Sequence, residues 1–200
     1  MGNKKILRDH YYLEAKARGY RARSAYKLKQ ILRRYKLIKK GDVVVDLGAA
    51  PGSWLQVARE YVGESGLVVG IDISPIKPLP YDNVKMIIGD VRENKVLTEL
   101  VGMLKQGADV LLSDLAPKFT GIRHLDHVRQ MELAEISLQY ARRLLKDGGS
   151  VVIKALQGEE LENLLSELRN NFEKVKVFKP PASRKTSAEV YLIGMKFKRA

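Results

Sequence analysis

The run Val43-Val44-Val45-Asp46-Leu47, followed by the turn Gly48-Ala49-Ala50-Pro51-Gly52 and the helix-opening pair Ser53-Trp54, constrains the fold more than any other stretch of the chain. A β-branched apolar run this short is a strand covered on both faces. A strand that passes through a glycine turn into a helix begins a βαβ unit, and the chain repeats the pattern. After a helix over 53–62, residues 67–71 form a second strand ending in Asp72, and 84–88 form a third. A helix over 95–105 leads to a strand over 108–113 ending at Asp114, then a long helix over 126–146. Asp147-Gly148-Gly149 stops that helix, and a strand over 150–154 and a helix over 159–170 follow. Residues 174–178 and 189–197 have no helix between them, so they pair as an antiparallel hairpin across the Pro180-Pro181 loop. The expected class is α/β, a mainly parallel sheet with helices on both faces.

Before the first strand, apolar positions recur at helical spacing from residue 9 to about 35 and break near Gly19, which predicts two short helices, the second over 24–35. This part of the chain is also its charge anomaly. Of a net charge of +13, residues 1–40 supply 14 Lys/Arg against 2 Asp/Glu, whereas residues 41–200 carry 22 against 21. Tyr11, Tyr12, Leu13, Tyr20, Tyr26, Leu28, Ile31 and Leu32 interleave with the basic residues, the pattern of an ordered basic surface with an RNA-like partner rather than a solubilising tail. At 200 residues and 45% hydrophobic content the chain reads as one domain, 1–200, with a basic helical extension over 1–40 and a core over 41–200.

The absence of cysteine excludes a disulfide, a thiolate nucleophile and any Cys-ligated metal. His10, His124 and His127 have no third ligand type clustered near them, so no metal site is expected. No apolar run approaches the ~20 residues that span a bilayer, and a cytoplasmic location without membrane attachment is the expectation.

A glycine turn at the carboxyl end of the first strand is where open α/β sheets bind nucleotides. Gly48 and Gly52 let the backbone approach a ligand, yet the Gly-x-Gly-x-x-Gly phosphate fingerprint is missing, which disfavours a dinucleotide. Asp72 is placed to bind a ribose diol and Asp90, in Ile88-Gly89-Asp90-Val91, to accept from an adenine amino group. With Asp46, these strand-end acids favour a nucleoside ligand without phosphates, a description that S-adenosylmethionine fits.

The segment Asp46-Leu47-Gly48-Ala49-Ala50-Pro51-Gly52-Ser53-Trp54 resembles the cofactor loop of the FtsJ/RrmJ family of ribose 2′-O-methyltransferases, and the resemblance covers nearly the whole chain. It implies a Rossmann-like, S-adenosylmethionine-dependent methyltransferase fold, a seven-stranded sheet with its last strand antiparallel. It also implies a cofactor site at Gly48, Pro51, Gly52, Trp54, Asp72, Asp90 and Asp114.

The family's Lys-Asp-Lys-Glu tetrad has a counterpart at each position. Lys27 lies in Arg23-Ser24-Ala25-Tyr26-Lys27-Leu28, Asp114 in Ser113-Asp114-Leu115-Ala116-Pro117, Lys154 in Val152-Ile153-Lys154-Ala155, and Glu189 in Ser187-Ala188-Glu189-Val190-Tyr191. Lys154 closes an apolar strand. The expected roles are Lys154 as acceptor of the 2′-hydroxyl proton or stabiliser of the alkoxide, Asp114 as its orienter beside the donor methyl, and Lys27 and Glu189 as positioners of the ribose.

Pyrimidine C5 methylation by a cysteine nucleophile is excluded, and Asp114-Leu115-Ala116-Pro117 is unlike the Asn/Asp-Pro-Pro-aromatic motif of exocyclic-amine methylases. A small-molecule methyltransferase has no need of the basic segment. The resemblance points to a uridine in the peptidyl-transferase region of large-subunit ribosomal RNA. The alternatives are transfer RNA and a non-catalytic, RNA-binding ribosome assembly factor. The loop 179–185 is either a proline-stiffened connection or a source of Arg184 and Lys185 for the RNA backbone.

Overall fold

The computed structural model describes residues 10–199; the first nine residues of the basic segment lie outside it. Two helices, α1 (His10–Ala17) and α2 (Ala25–Tyr35), precede β1 (Val43–Leu47), α3 (Ser53–Val62), β2 (Leu67–Asp72), β3 (Val84–Ile88), α4 (Asn94–Met103) and β4 (Ala108–Ser113). There follow α5 (Arg123–Leu144), β5 (Leu145–Leu156), α6 (Leu161–Asn171), β6 (Phe172–Phe178) and β7 (Glu189–Phe197). The seven strands form one sheet in the order β3-β2-β1-β4-β5-β7-β6. All neighbouring pairs are parallel except those of β7, which runs antiparallel to both β5 and β6.

Strand alternation divides the interior into two layers. Val45, Leu47, Leu111, Val151 and Ile153 face a cluster completed by α4, α5 and α6. Val44, Val110, Leu112, Val152 and Ile193 face a second cluster, which includes Ala15, Tyr20, Leu28, Ile31 and Leu32 from the N-terminal helices. Of the apolar residues interleaved with the basic ones, Tyr26, Leu28, Ile31 and Leu32 are therefore the inner face of α2, and Tyr20 is buried beside them, whereas Tyr12 and Leu13 of α1 stay exposed. Lys16, Arg18, Arg33, Arg34, Lys36, Lys39 and Lys40 remain exposed around that inner face.

One expected boundary needs correction. Asp147-Gly148-Gly149 does not stop α5. That helix ends at Leu144, Leu145 already pairs with Ala108, and the glycines fall inside β5 at a register shift between Ala108 and Val110. Gly148 takes a φ of +76° there, and Lys146 Nζ holds both carboxylate oxygens of Asp109 at 2.9 Å. The glycines let the bulged strand bend without breaking its pairing.

The candidate active site

The switch in strand order falls between β1 and β4, and the crevice it opens lies at their carboxyl ends. The turn after β1 is held to β2 by its main chain. Gly48 and Ala49 donate to the Ile71 carbonyl at 2.9 and 3.0 Å, and the Ala50 amide donates to Asp72 Oδ2 at 2.9 Å. Gly48 has a φ of +78°, and a Cβ there would meet the Leu115 backbone at 3.0 Å, so the position admits only glycine comfortably. The cavity beside this turn measures about 590 Å³, a size suited to a nucleoside-sized ligand. Gly48, Ala50, Asp72, Asp90 and Asp114 line it.

The bare backbone at Gly48 and three carboxylates on neighbouring strand ends fit a phosphate-free nucleoside such as S-adenosylmethionine. Pro51, Gly52 and Trp54 stand behind the turn rather than in the cavity. The Pro51 carbonyl accepts from Arg21 Nη1 at 3.0 Å, and Gly52 lies against the same guanidinium. Trp54 is buried, its indole N–H bonded to the Ser24 carbonyl at 2.9 Å and its ring 5.8 Å from that of Tyr191. Ser24 and Ser53 share a 2.9 Å hydroxyl contact. These links fasten the segment before α2 to the cofactor turn. Asp90 carries an Arg92 guanidinium at 2.6–3.1 Å, which holds its carboxyl below the usual range.

Alternation also gathers the tetrad. On β5 and β7, Val152 and Lys154 share one face, as do Glu189, Tyr191 and Ile193, and Lys154 is the register partner of Tyr191. All face the layer that contains α2, where Lys27 sits. Lys154 Nζ lies 3.1 Å from Asp114 Oδ1 and donates to the Asp114 carbonyl at 2.6 Å. Lys27 Nζ lies 2.7 and 2.9 Å from the two Glu189 oxygens. The four candidates thus meet as two ion pairs, largely screened from solvent.

Tyr191 joins the pairs and escaped the sequence reading. Its hydroxyl donates to Asp114 Oδ1 at 2.8 Å, and Lys27 Nζ sits 5.9 Å from its ring. Burial, together with the charges of Asp114 and Glu189, pushes its phenol well above the usual range, so it stays a donor. The available signal was its position two residues after Glu189, on the same strand face. Gln130 was also missed; it lies on α5, and its amide donates to the carbonyls of Leu115 and Lys154, both at 3.1 Å, tying the ends of β4 and β5 together.

Asp46 begins the turn but does not line the cavity. It is completely buried, neither carboxylate oxygen has a protein partner, and burial, with the Asp114 and Asp72 charges, raises its pKa well above the usual range. The loop 179–188 docks on α2. Ala182 donates to Gln30 Oε1 at 2.8 Å and accepts from Arg23, and Ser183 donates to Glu189 Oε1 at 2.9 Å. Among the described residues, no group of His, Asp and Glu could hold a metal ion, and no helix is long and apolar enough to cross a membrane.

The family model described as FtsJ-like methyltransferase matches residues 20–197. The ribosomal RNA large subunit methyltransferase E of Methanothermobacter thermautotrophicus is 50% identical over 191 residues, covering 96% of this chain and 90% of that protein. Its namesake in Halorubrum lacusprofundi is 50% identical over 94% of this chain and 70% of its own length. Among solved structures, a ribosomal RNA methyltransferase from Plasmodium falciparum superposes with a TM-score of 0.79 at 31% identity, covering 90% of this chain and all of that one. Fibrillarin from Aeropyrum pernix, crystallised with bound S-adenosyl-L-methionine, shares the fold at 20% identity and a TM-score of 0.59, over 86% of this chain and 76% of its own.

Proposed function

The chain belongs to the FtsJ-like methyltransferase family, and from that premise we propose that it methylates a ribose 2′-hydroxyl of large-subunit ribosomal RNA, at a uridine of the peptidyl-transferase region. The observation that carries the reading is the convergence of Lys27, Asp114, Lys154 and Glu189 as two ion pairs beside the crevice.

When bound, S-adenosylmethionine supplies an electrophilic methyl group on a sulfonium. The residues that would hold it are Gly48 at the turn, Asp114 at the end of β4, Asp72 for the ribose diol and Asp90 for the adenine amino group, with Pro51, Gly52 and Trp54 supporting the turn. At Asp90, Arg92 must share or yield the carboxylate. Lys154 accepts the 2′-hydroxyl proton as the neutral amine, or as the ammonium stabilises the oxyanion as it forms, a contribution of about 10²–10⁴ in rate. Asp114 fixes the Lys154 amine through both its carboxylate and its carbonyl, and Tyr191 fixes Asp114 in turn. The Lys27–Glu189 pair positions the acceptor ribose. Holding the acceptor oxygen in line beside the donor site supplies much of the remaining acceleration. The basic segment over 1–40, on this reading, faces the RNA backbone as part of one domain with the core over 41–200, in a cytoplasmic enzyme acting on ribosomal particles.

The test is incubation with methyl-labelled S-adenosylmethionine and separated ribosomal subunits or transfer RNA, followed by digestion to nucleosides. Labelled 2′-O-methyluridine from the large subunit is expected. Label in transfer RNA would overturn the substrate while keeping the chemistry, and no label in any RNA would leave the assembly-factor role.

A further inference from the structure

The segment after β4 leaves the crevice in an unusual form. Pro117 and Lys118 line the cavity, and the next residue, Phe119, is 56% exposed, with Ile122 at 63%. Consecutive Cα atoms are about 3.8 Å apart, so Phe119 stands on the rim of the site. Phe172 and Phe197 are buried and Phe178 is partly so, which makes Phe119 the one exposed phenylalanine among the described residues.

The projection is built rather than loose. Asp126, in the first turn of α5, accepts from the Thr120 amide at 2.7 Å, the Thr120 hydroxyl at 2.8 Å and the Gly121 amide at 2.9 Å. The backbone hydrogen bond from Thr120 leads in holding its carboxyl below the usual range. Gly121 takes a φ of +86° with open space where a Cβ would point. A turn pinned by three hydrogen bonds thus presents an aromatic ring and an isoleucine to water, a placement with no benefit to folding.

Its surroundings indicate the occupant. Lys118 and Arg123 adjoin the two apolar residues in the chain and are exposed with Arg129, and Lys118 and Arg129 also line the cavity. An aromatic ring carried beside a pinned turn and next to cations complements a nucleic-acid strand, with its base faces and phosphates; a protein-binding face would more often lack charge at its centre. A ribose brought to a recessed crevice must be drawn away from its stacked neighbours, and a ring on the rim can replace the stacking lost.

We propose that Phe119 is a stacking platform for an unpaired base flanking the methylated ribose, with Ile122 at its edge and Lys118, Arg123 and Arg129 on the adjoining phosphates. The inference rests on the RNA-methylating reading above and adds a subsite to it.

The test compares the wild type with Phe119→Ala, Phe119→Leu and Phe119→Tyr, measuring KM for the RNA, kcat and cofactor affinity. A parallel titration uses RNA carrying 2-aminopurine at each position beside the target. Stacking requires that Ala and Leu both raise KM for RNA about tenfold or more while kcat and cofactor affinity hold, that Tyr behaves as wild type, and that 2-aminopurine quenching disappears in the Ala variant. An unchanged KM in Phe119→Ala overturns the proposal. So does a Leu variant equal to wild type, which would assign the face to apolar contact with a protein or a second copy of the chain. A wild-type enzyme that labels no RNA would instead defeat the parent reading. Because the ring is exposed, thermal midpoints should match across the series.

Discussion

The two sides of the crevice are specified in different ways. On the β1–β3 side the turn after β1 presents its main chain to the cavity at Gly48 and Ala50, held by amide hydrogen bonds to Ile71 and Asp72, with the Asp72 and Asp90 carboxylates beside it. On the β4–β7 side it is made of side chains from four separate elements, and Lys27 and Glu189 meet although 162 positions apart. A backbone surface is damaged by adding atoms, whereas a side-chain constellation is damaged by removing them. Asp114 is the hinge of the two, its amide on the Leu47 carbonyl at 3.1 Å and its carboxylate on Lys154.

The strongest challenge to this division is Lys154→Ala. Turnover is expected to fall by about 10²–10⁴ while cofactor affinity, measured by calorimetry, stays at the wild-type value. A variant that loses cofactor affinity in proportion to turnover would mean that the two sides do not act separately. Normal turnover would remove Lys154 from the mechanism altogether.

The same division explains what the sequence made legible. The cofactor side is local, so its strand, turn and helix can be read directly, and β1, α3, β3, β4 and β7 occupy the expected residues. The tetrad members came from the family resemblance, since no spacing rule links residues 27, 114, 154 and 189. Their pairing as Lys27–Glu189 and Lys154–Asp114 depends on strand register and on how α2 docks, which are tertiary facts. Tyr191 stayed hidden because an aromatic in an apolar strand looks like core until its hydroxyl is seen to reach a carboxylate. The boundary at Asp147-Gly148-Gly149 failed for a related reason: glycines stop helices and also permit bulges, and only the pairing with β4 distinguishes the two.

A smaller effect is expected from the opposite operation on the other side. Gly48→Ala adds one methyl group against the Leu115 backbone at a φ of +78°, so cofactor affinity should drop about tenfold, with folding stability lowered by roughly 1–3 kcal/mol. At saturating cofactor, turnover should recover most of its wild-type value. Gly121→Ala supplies the control, because its φ is +86° but nothing lies within 4 Å of the new Cβ. It should lose comparable stability and no cofactor affinity. Equal affinity losses in the two variants would show that strain, rather than the crowded backbone surface, governs Gly48.

Asp46 should give the smallest effect, and it reports on both sides at once. Its carboxyl is raised first by burial and then by Asp114 from one side and Asp72 from the other, so the fold favours its protonated form. A carboxyl with a folded pKa above its unfolded value of ~3.9 contributes stability below that value and loses it as pH climbs through the folded value. The cofactor-free wild type should therefore lose thermal stability as pH rises from about 4 toward neutrality. Asp46→Asn keeps the shape and cannot ionise, so its thermal midpoint should lie above that of the wild type at pH 7.5, with the gap narrowing toward pH 4. Asp114→Asn, with Asp46 retained, removes one of the two like charges, and the loss of stability with rising pH that Asp46 causes should then be smaller. Parallel pH profiles for wild type and Asp46→Asn would mean that the buried carboxyl is already neutralised by a partner, and the electrostatic link between the two sides of the crevice would be lost with it.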